Sequence, residues 1–418
     1  MSGSLKKDYI WNTLGSLAYA AAAALLAFFA MRVFGPEEGG IFGFGYAAFG
    51  QQMFIVAYFG MRPFHFTDVK NEYSFAVYRS SRGKTALLSV LTAAVWLGIL
   101  LVTGTYTASK ALCILLLAGI KIADGYADVY ECECQRSGFL WRGGRELFFR
   151  TLAFSGVFII AAVVTRNLVI SAALSLAAQA AAILIFKKRL AADHDGIFSC
   201  EKTEDLRQAE KSLFQKTVFL FAGVFLDFLI VSSSKYAIDL FLTDADSGIY
   251  NILFMPANVI YMAANFAMKP AISRMAESLE KGDRKAWKAQ KKRLLLIIGG
   301  LSVLALFGTA LLGKPVLKLF EIILGETYKG RLTACAGEFF LIILGGCLYA
   351  FAGLYYYLLV VKRRQKLLFS AYLVIGVLSV VMAALLVKNR GLAGAAASYA
   401  ASMSLIFAGF FLEDKLSD

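Results

Sequence analysis

The chain has 418 residues, of which 59% are hydrophobic, 14% aromatic and only 17% charged. Soluble domains carry about 25% charged residues, so the composition argues against a water-soluble enzyme. The net charge of +14, from 43 Lys and Arg against 29 Asp and Glu, would suggest nucleic acid in a soluble protein. Here it must first be divided among the apolar runs and their connections.

A bilayer-crossing helix needs about 20 apolar residues. Twelve runs qualify, at about 9–34, 39–63, 84–105, 107–130, 145–165, 167–186, 213–234, 247–268, 292–312, 331–360, 367–387 and 391–412. The first follows Lys6-Lys7, is too long for a signal-peptide core and precedes no small-residue cleavage site, so it is read as a retained helix. The expected fold is an all-α polytopic membrane protein with about twelve transmembrane helices and no separate soluble domain.

Basic residues set the orientation. The N-terminus, alternate connections and C-terminus hold 31 Lys and Arg, whereas the opposite face holds ten. Both termini are therefore expected in the cytoplasm of a multi-pass protein of the cytoplasmic membrane. Most of the +14 records this orientation; the spans themselves hold four acids and two bases. Two cytoplasmic connections are longer, 187–214 and 269–293. In the second, Ile272, Met275, Ala276 and Leu279 fall at helical spacing, as in an amphipathic helix lying on the inner leaflet, the alternative being a solvated loop that only sets topology. The longest external connection is expected at about 313–330.

The sequence repeats itself at half its length. Glu38-Gly39-Gly40-Ile41-Phe42 is echoed 208 positions on by Asp246-Ser247-Gly248-Ile249-Tyr250, and Met61-Arg62-Pro63 is echoed by Met268-Lys269-Pro270. Six spans separate the copies, so they share one orientation. The reading is two six-helix lobes, 1–190 and 213–418, related by a pseudo-two-fold along the membrane normal and joined by a cytoplasmic linker at 191–212. Transporters built this way place substrate near the midplane between the halves.

Arg32-Val-Phe-Gly-Pro-Glu-Glu-Gly-Gly-Ile-Phe42 resembles the segment after the first helix of bacterial polysaccharide flippases, of the multidrug/oligosaccharidyl-lipid/polysaccharide exporter superfamily. Asp239 through Tyr250, Leu324-Gly325 with Tyr328, and Gly391-Leu-Ala-Gly-Ala-Ala396 resemble its second half. The resemblance implies alternating access, without covalent chemistry. Its substrate would be an undecaprenyl-pyrophosphate-linked oligosaccharide, its surroundings membrane lipids and other polysaccharide-assembly proteins, with no nucleic acid. A second reading keeps the fold and makes the chain a cation-coupled exporter of small compounds. A membrane polymerase or ligase would want a large external loop, which the sequence lacks.

Ionisable groups inside spans are costly and so are functional candidates. Lys121, Asp124 and Asp128 share one face of span four, at i, i+3 and i+7. Asp227 sits near mid-depth in span seven, and Glu338 lies towards the outer end of span ten. These five are the cavity and coupling candidates, the ion being H⁺ or Na⁺. The alternative for the trio is that Lys121 merely neutralises Asp124 while Asp128 faces the cytoplasmic edge. Arg62, Arg150 and Lys269, at or near the inner ends of spans, are candidates for a substrate phosphate. Asn12, Gln51, Gln52, Asn258 and Asn265 are polar cavity candidates, since amides facing lipid are unfavourable. Tyr355-Tyr356-Tyr357 is read as an interfacial aromatic belt. Cys132-x-Cys134 with Cys200 and His194 is a weak zinc pattern, and no metal or organic cofactor is expected; no nucleotide-binding motif occurs.

Overall fold

A computed structural model describes residues 2–68, 72–193 and 205–416. These are helical, with no strand among them. The helices are α1 (Ser2–Gly43), α2 (Gly50–Tyr58), α3 (Met61–Thr67), α4 (Phe75–Val102), α5 (Ala108–Arg136), α6 (Leu140–Thr165) and α7 (Leu168–Asp193). They continue as α8 (Leu206–Phe241), α9 (Asp244–Glu280), α10 (Arg284–Leu324), α11 (Arg331–Ala334), α12 (Ala336–Val361) and α13 (Gln365–Leu416).

Nine of the described helical stretches are long and apolar enough to cross a membrane. Two are double. The stretch Lys6–Tyr58 breaks at Gly35 (φ 87°, ψ −175°) before Pro36, and α13 breaks at Gly391 (φ 58°, ψ −137°). Such backbone is open essentially to glycine alone, and proline suits the first turn of the helix that follows. With α5, which is long enough but too charged to score as apolar, these breaks bring the spans to twelve.

The helices are inside out relative to soluble ones. On α4 the inward face is Ser81, Arg82, Thr85, Ser89 and Ala93, while Leu87, Leu91, Val95 and Ile99 are exposed. Thr85 and Ser89 donate to the carbonyls of Ala57 and Met53 on α2, both at 2.7 Å. Small polar residues that let backbones approach, with leucine outside, are what a lipid solvent selects.

The chain divides into two compact units, Met1–Phe225 and Leu226–Asp418, with the division falling inside α8. In the first, α5 is the hub, packing against α2, α3, α4, α6 and α7. The first half of α8 belongs to this unit: Phe221 stacks on Phe59 at 4.2 Å, and Tyr73 Oη lies 2.9 Å from Ser212 Oγ. In the second unit α12 is the hub, packing against α9, α10 and α13.

Three sequence expectations change. Ile272 to Leu279 form no separate surface helix; α9 runs on unbroken to Glu280, with Met275 buried, and turns into α10 at Lys281–Asp283. The external connection at 313–330 is mostly helix, because α10 carries Lys314 and Pro315 and ends only at Leu324. Tyr355 to Tyr357 are no interfacial belt. Tyr355 is buried and lies edge-on to Phe411, Tyr356 packs against Tyr372 and Phe410, and Tyr357 donates to Asn265. The sequence places the linker at 191–212; its residues 194–204, with His194 and Cys200, lie outside the described residues.

Candidate functional site

The first unit carries its charge along α5. Lys121, Asp124, Asp128 and Glu131 recur every three or four residues, so they form one buried stripe. At its deep end, Lys121 Nζ donates to Tyr19 Oη at 2.7 Å and lies over the Tyr46 ring at 4.1 Å. Tyr19 Oη in turn donates to Asp124 Oδ2 at 3.1 Å, and Gln179 Nε2 on α7 donates to Oδ1. Arg150 Nη2 on α6 lies 3.3 Å from Asp124 and 2.8 Å from Glu131. Its Nε and Nη1 have no hydrogen-bond partner among the described residues.

One turn further on, Asp128 receives two guanidinium groups. Arg82 Nη2 donates to Oδ2 at 2.9 Å, Arg62 Nη1 donates to Oδ1, and Arg62 also reaches Glu131 at 4.0 Å. Arg82 is buried and its Nη1 donates to the Tyr58 carbonyl. That carbonyl lies just before the left-handed pair Phe59 and Gly60, where the helix breaks between α2 and α3. Arg62, at the start of α3, stays 35% exposed along its side chain.

Beyond the spans the polar stripe continues into a cap. His65 on α3 is fully buried, stacked on Tyr78 at 3.9 Å, with Nε2 2.7 Å from Glu133 Oε2. Arg136 donates to Glu133 at 2.8 Å and to the Tyr73 carbonyl at 3.1 Å. Burial pushes the imidazole below its usual value, and Glu133 recovers part of the shift.

In the second unit the candidate acid is Asp227, apart from the ion pairs that Lys291 and Lys362 make with Asp414. Asp227 on α8 accepts from Tyr349 Oη at 2.6 Å and also from Tyr372. Tyr261 stacks on Tyr349 at 4.2 Å. Asp227 forms no salt bridge among the described residues. An acid held by phenol hydroxyls alone can exchange a proton or hold a small cation without first breaking an ion pair.

Of the sequence candidates, Lys121, Asp124, Asp128, Arg62 and Arg150 come together on α5 and its neighbours. Glu338 is half-buried in the first turn of α12. Gln52 is buried and donates to the Phe225 carbonyl at 3.2 Å, and Gln51 is half-buried. Asn265 bridges the Tyr261 carbonyl and Tyr357 Oη at 3.1 and 3.2 Å. Asn12 and Asn258 are exposed, and the side chain of Lys269 lies outside the described residues. Cys132 and Cys134 are buried on α5. Sequence reasoning missed Arg82, Glu131, Tyr19, Gln179, Tyr349 and Tyr372. Gln179 had a readable signal, an amide in the middle of the apolar run at 167–186.

The architecture of the described residues is that of a polytopic, all-helical membrane protein. No family model and no curated protein matches the sequence. Solved structures do match, over nearly the whole chain. An inward-facing multidrug-resistance MATE-family transporter of the MOP superfamily superposes with a TM-score of 0.61 at 14% identity, over 97% of this chain and 94% of that one. The lipid II flippase MurJ, in an inward closed conformation, gives 0.73 at 10% identity, over 97% and 87%. The Vibrio cholerae MATE transporter VcmN gives 0.54 at 10% identity, over 99% and 97%. The chain therefore shares the fold of these solved structures, the fold that the resemblance at Gly35-Pro36-Glu37-Glu38-Gly39 implied.

Proposed function

We propose that the protein is a flippase that translocates an undecaprenyl-pyrophosphate-linked oligosaccharide across the bacterial cytoplasmic membrane. It would work by alternating access, coupled to an ion gradient, with both termini in the cytoplasm and other polysaccharide-assembly proteins supplying and receiving the substrate. The observation that carries this reading is the TM-score of 0.73 with a protein named as a lipid flippase, against 0.61 and 0.54 for the two MATE transporter structures. Arg62, partly exposed while Asp128 holds it, and Arg150, with two donors to spare, suit a pyrophosphate.

A second reading, a cation-coupled exporter of small compounds, is favoured by the pairing itself. Asp124, Asp128 and Glu131 already engage Arg62, Arg82 and Arg150, whereas Asp227 faces no cation among the described residues.

Proteoliposomes decide between them. The purified chain should move a fluorescent undecaprenyl-pyrophosphate oligosaccharide from the inner to the outer leaflet, read as a growing fraction open to an external quencher. Efflux of a cationic dye with no lipid movement would replace the first reading by the second.

A further inference from the structure

On the first unit a cleft opens between the start of α6 and the end of α7, with Glu146 in its lining one helical turn from Arg150. It offers about 430 Å³ of space, its open mouth included, and is lined by Arg142, Arg145, Glu146 and Arg189 together with Phe149 and Ile185. The two halves of this lining have opposite chemistry. Three guanidinium groups stand against one carboxylate, and neither Arg145 nor Arg189 forms a salt bridge among the described residues. Phe149 and Ile185 are 54% and 52% exposed on faces of α6 and α7 that continue into exposed leucines and isoleucines, the surface a lipid tail would cover.

The cleft also lies at an interfacial depth. Gly144 of α6 abuts the backbone of Asn12, close to the beginning of α1. Trp141 sits there with Arg142, Arg145 and Lys7 over its ring at 5.2, 5.1 and 5.9 Å. Tryptophan and snorkelling basic side chains mark the level of lipid headgroups. The helix end is itself already satisfied, because Asp8 Oδ1 accepts from the Trp141 backbone N–H at 2.8 Å. An anion here would be recognised by arginine side chains. Glu146 shares the cleft with them, and its Oε1 is buried without a hydrogen-bond partner among the described residues.

We propose that this cleft binds the phosphate of an anionic membrane lipid, with Arg145 and Arg189 as its main donors and its acyl chains along Phe149 and Ile185. The proposal concerns a bound lipid and not the transported substrate, and stands whether or not the flippase reading does. Bidentate arginine contacts select phosphate, and a basic patch at the membrane surface adds affinity for acidic lipid.

The test titrates the detergent-purified full chain with phosphatidylglycerol, phosphatidylcholine or inorganic phosphate and follows thermal unfolding. Phosphatidylglycerol should raise the midpoint, with little change from the other two. Arg145→Gln/Arg189→Gln should weaken the apparent affinity on the order of thirtyfold. Lys388→Gln/Arg390→Gln, an equal loss of exposed charge on α13, should leave it unchanged. Equal responses of the wild type and the Arg145/Arg189 variant, or equal effects of the two lipids, would overturn the proposal. Full stabilisation by inorganic phosphate alone would also overturn it, leaving a free-anion site. The Arg145/Arg189 variant is checked for folding by its midpoint without lipid; should it fail to fold, Phe149→Gln, expected to weaken only the lipid response, decides instead.

Discussion

Arg82 and Asp128 meet at 2.9 Å with side chains only 1% and 5% exposed, although 46 residues and most of α4 separate them in sequence. Removing one member of a buried pair leaves a charge that water cannot reach, at a cost of about 3–5 kcal/mol. Asp128→Asn is therefore expected to lower stability by that order. Arg82→Met/Asp128→Leu should recover much of the loss, since Arg62 is exposed enough to turn to water. Unfolding midpoints of the single and double variants check this, and a double variant as unstable as both losses added together would show that the pair is uncoupled.

The break in α13 should be as demanding. Gly391 holds a backbone that L-residues avoid, and a Cβ on Gly394 would stand 1.9 Å from the Leu386 carbonyl oxygen. Gly394→Ala must push the two halves of the helix apart, which costs about 1–3 kcal/mol or more. Gly337→Ala, where a Cβ meets nothing within 4 Å, should be close to neutral. Thermal unfolding of the two variants, compared directly, tests the difference.

The same geometry explains how much of the molecule is legible in its sequence. Hydropathy finds spans because lipid rewards a continuous apolar surface, and i, i+3, i+7 spacing by itself places Lys121, Asp124 and Asp128 on one helical face. Their partners escape that reasoning. Arg82 lies just before the apolar run that begins at 84, so it reads as loop, yet α4 starts at Phe75 and carries it inside. Glu131 falls just past the end of span four for the same reason. Helices here extend beyond the bilayer, so hydropathy marks where lipid ends and says nothing of where the helix does. The cluster of Tyr349, Tyr372 and Tyr261 at Asp227 joins α8, α9, α12 and α13, a convergence that no local periodicity encodes.

His65 gives stability a pH dependence. Its neighbours are Glu133 and Arg136 from α5 and Tyr78 and Arg82 from α4. Burial outweighs Glu133, so the folded imidazole titrates below its ordinary value of 6.5. In the window between the two values the unfolded chain binds more protons, so stability rises with pH there. The contribution is fully present above the unfolded value and is lost as pH falls through it towards the folded one. His65→Gln should flatten this part of the profile while lowering the midpoint at neutral pH. Unfolding midpoints between about pH 8 and pH 5 for the two proteins check it; parallel profiles would assign the acid sensitivity elsewhere.

Asp227 separates coupling from binding. Its carboxylate rests on the hydroxyls of Tyr349 and Tyr372, so Asp227→Asn keeps the size and one acceptor oxygen while removing the charge that a proton or Na⁺ would neutralise. Tyr349→Phe keeps the charge and removes a donor. If Asp227 is the coupling group, gradient-driven transport by Asp227→Asn should fall about tenfold or more, equivalent to roughly 1.4 kcal/mol of lost coupling. Exchange of substrate without a gradient should persist. Tyr349→Phe should remain coupled but shift the pH or Na⁺ concentration of half-maximal transport. Proteoliposome transport, with and without an imposed gradient and normalised to incorporated protein, distinguishes the two. Undiminished gradient-driven transport by Asp227→Asn would move the coupling group to the α5 stripe, where Asp124 is the acid that meets Tyr19, Gln179 and Arg150 together.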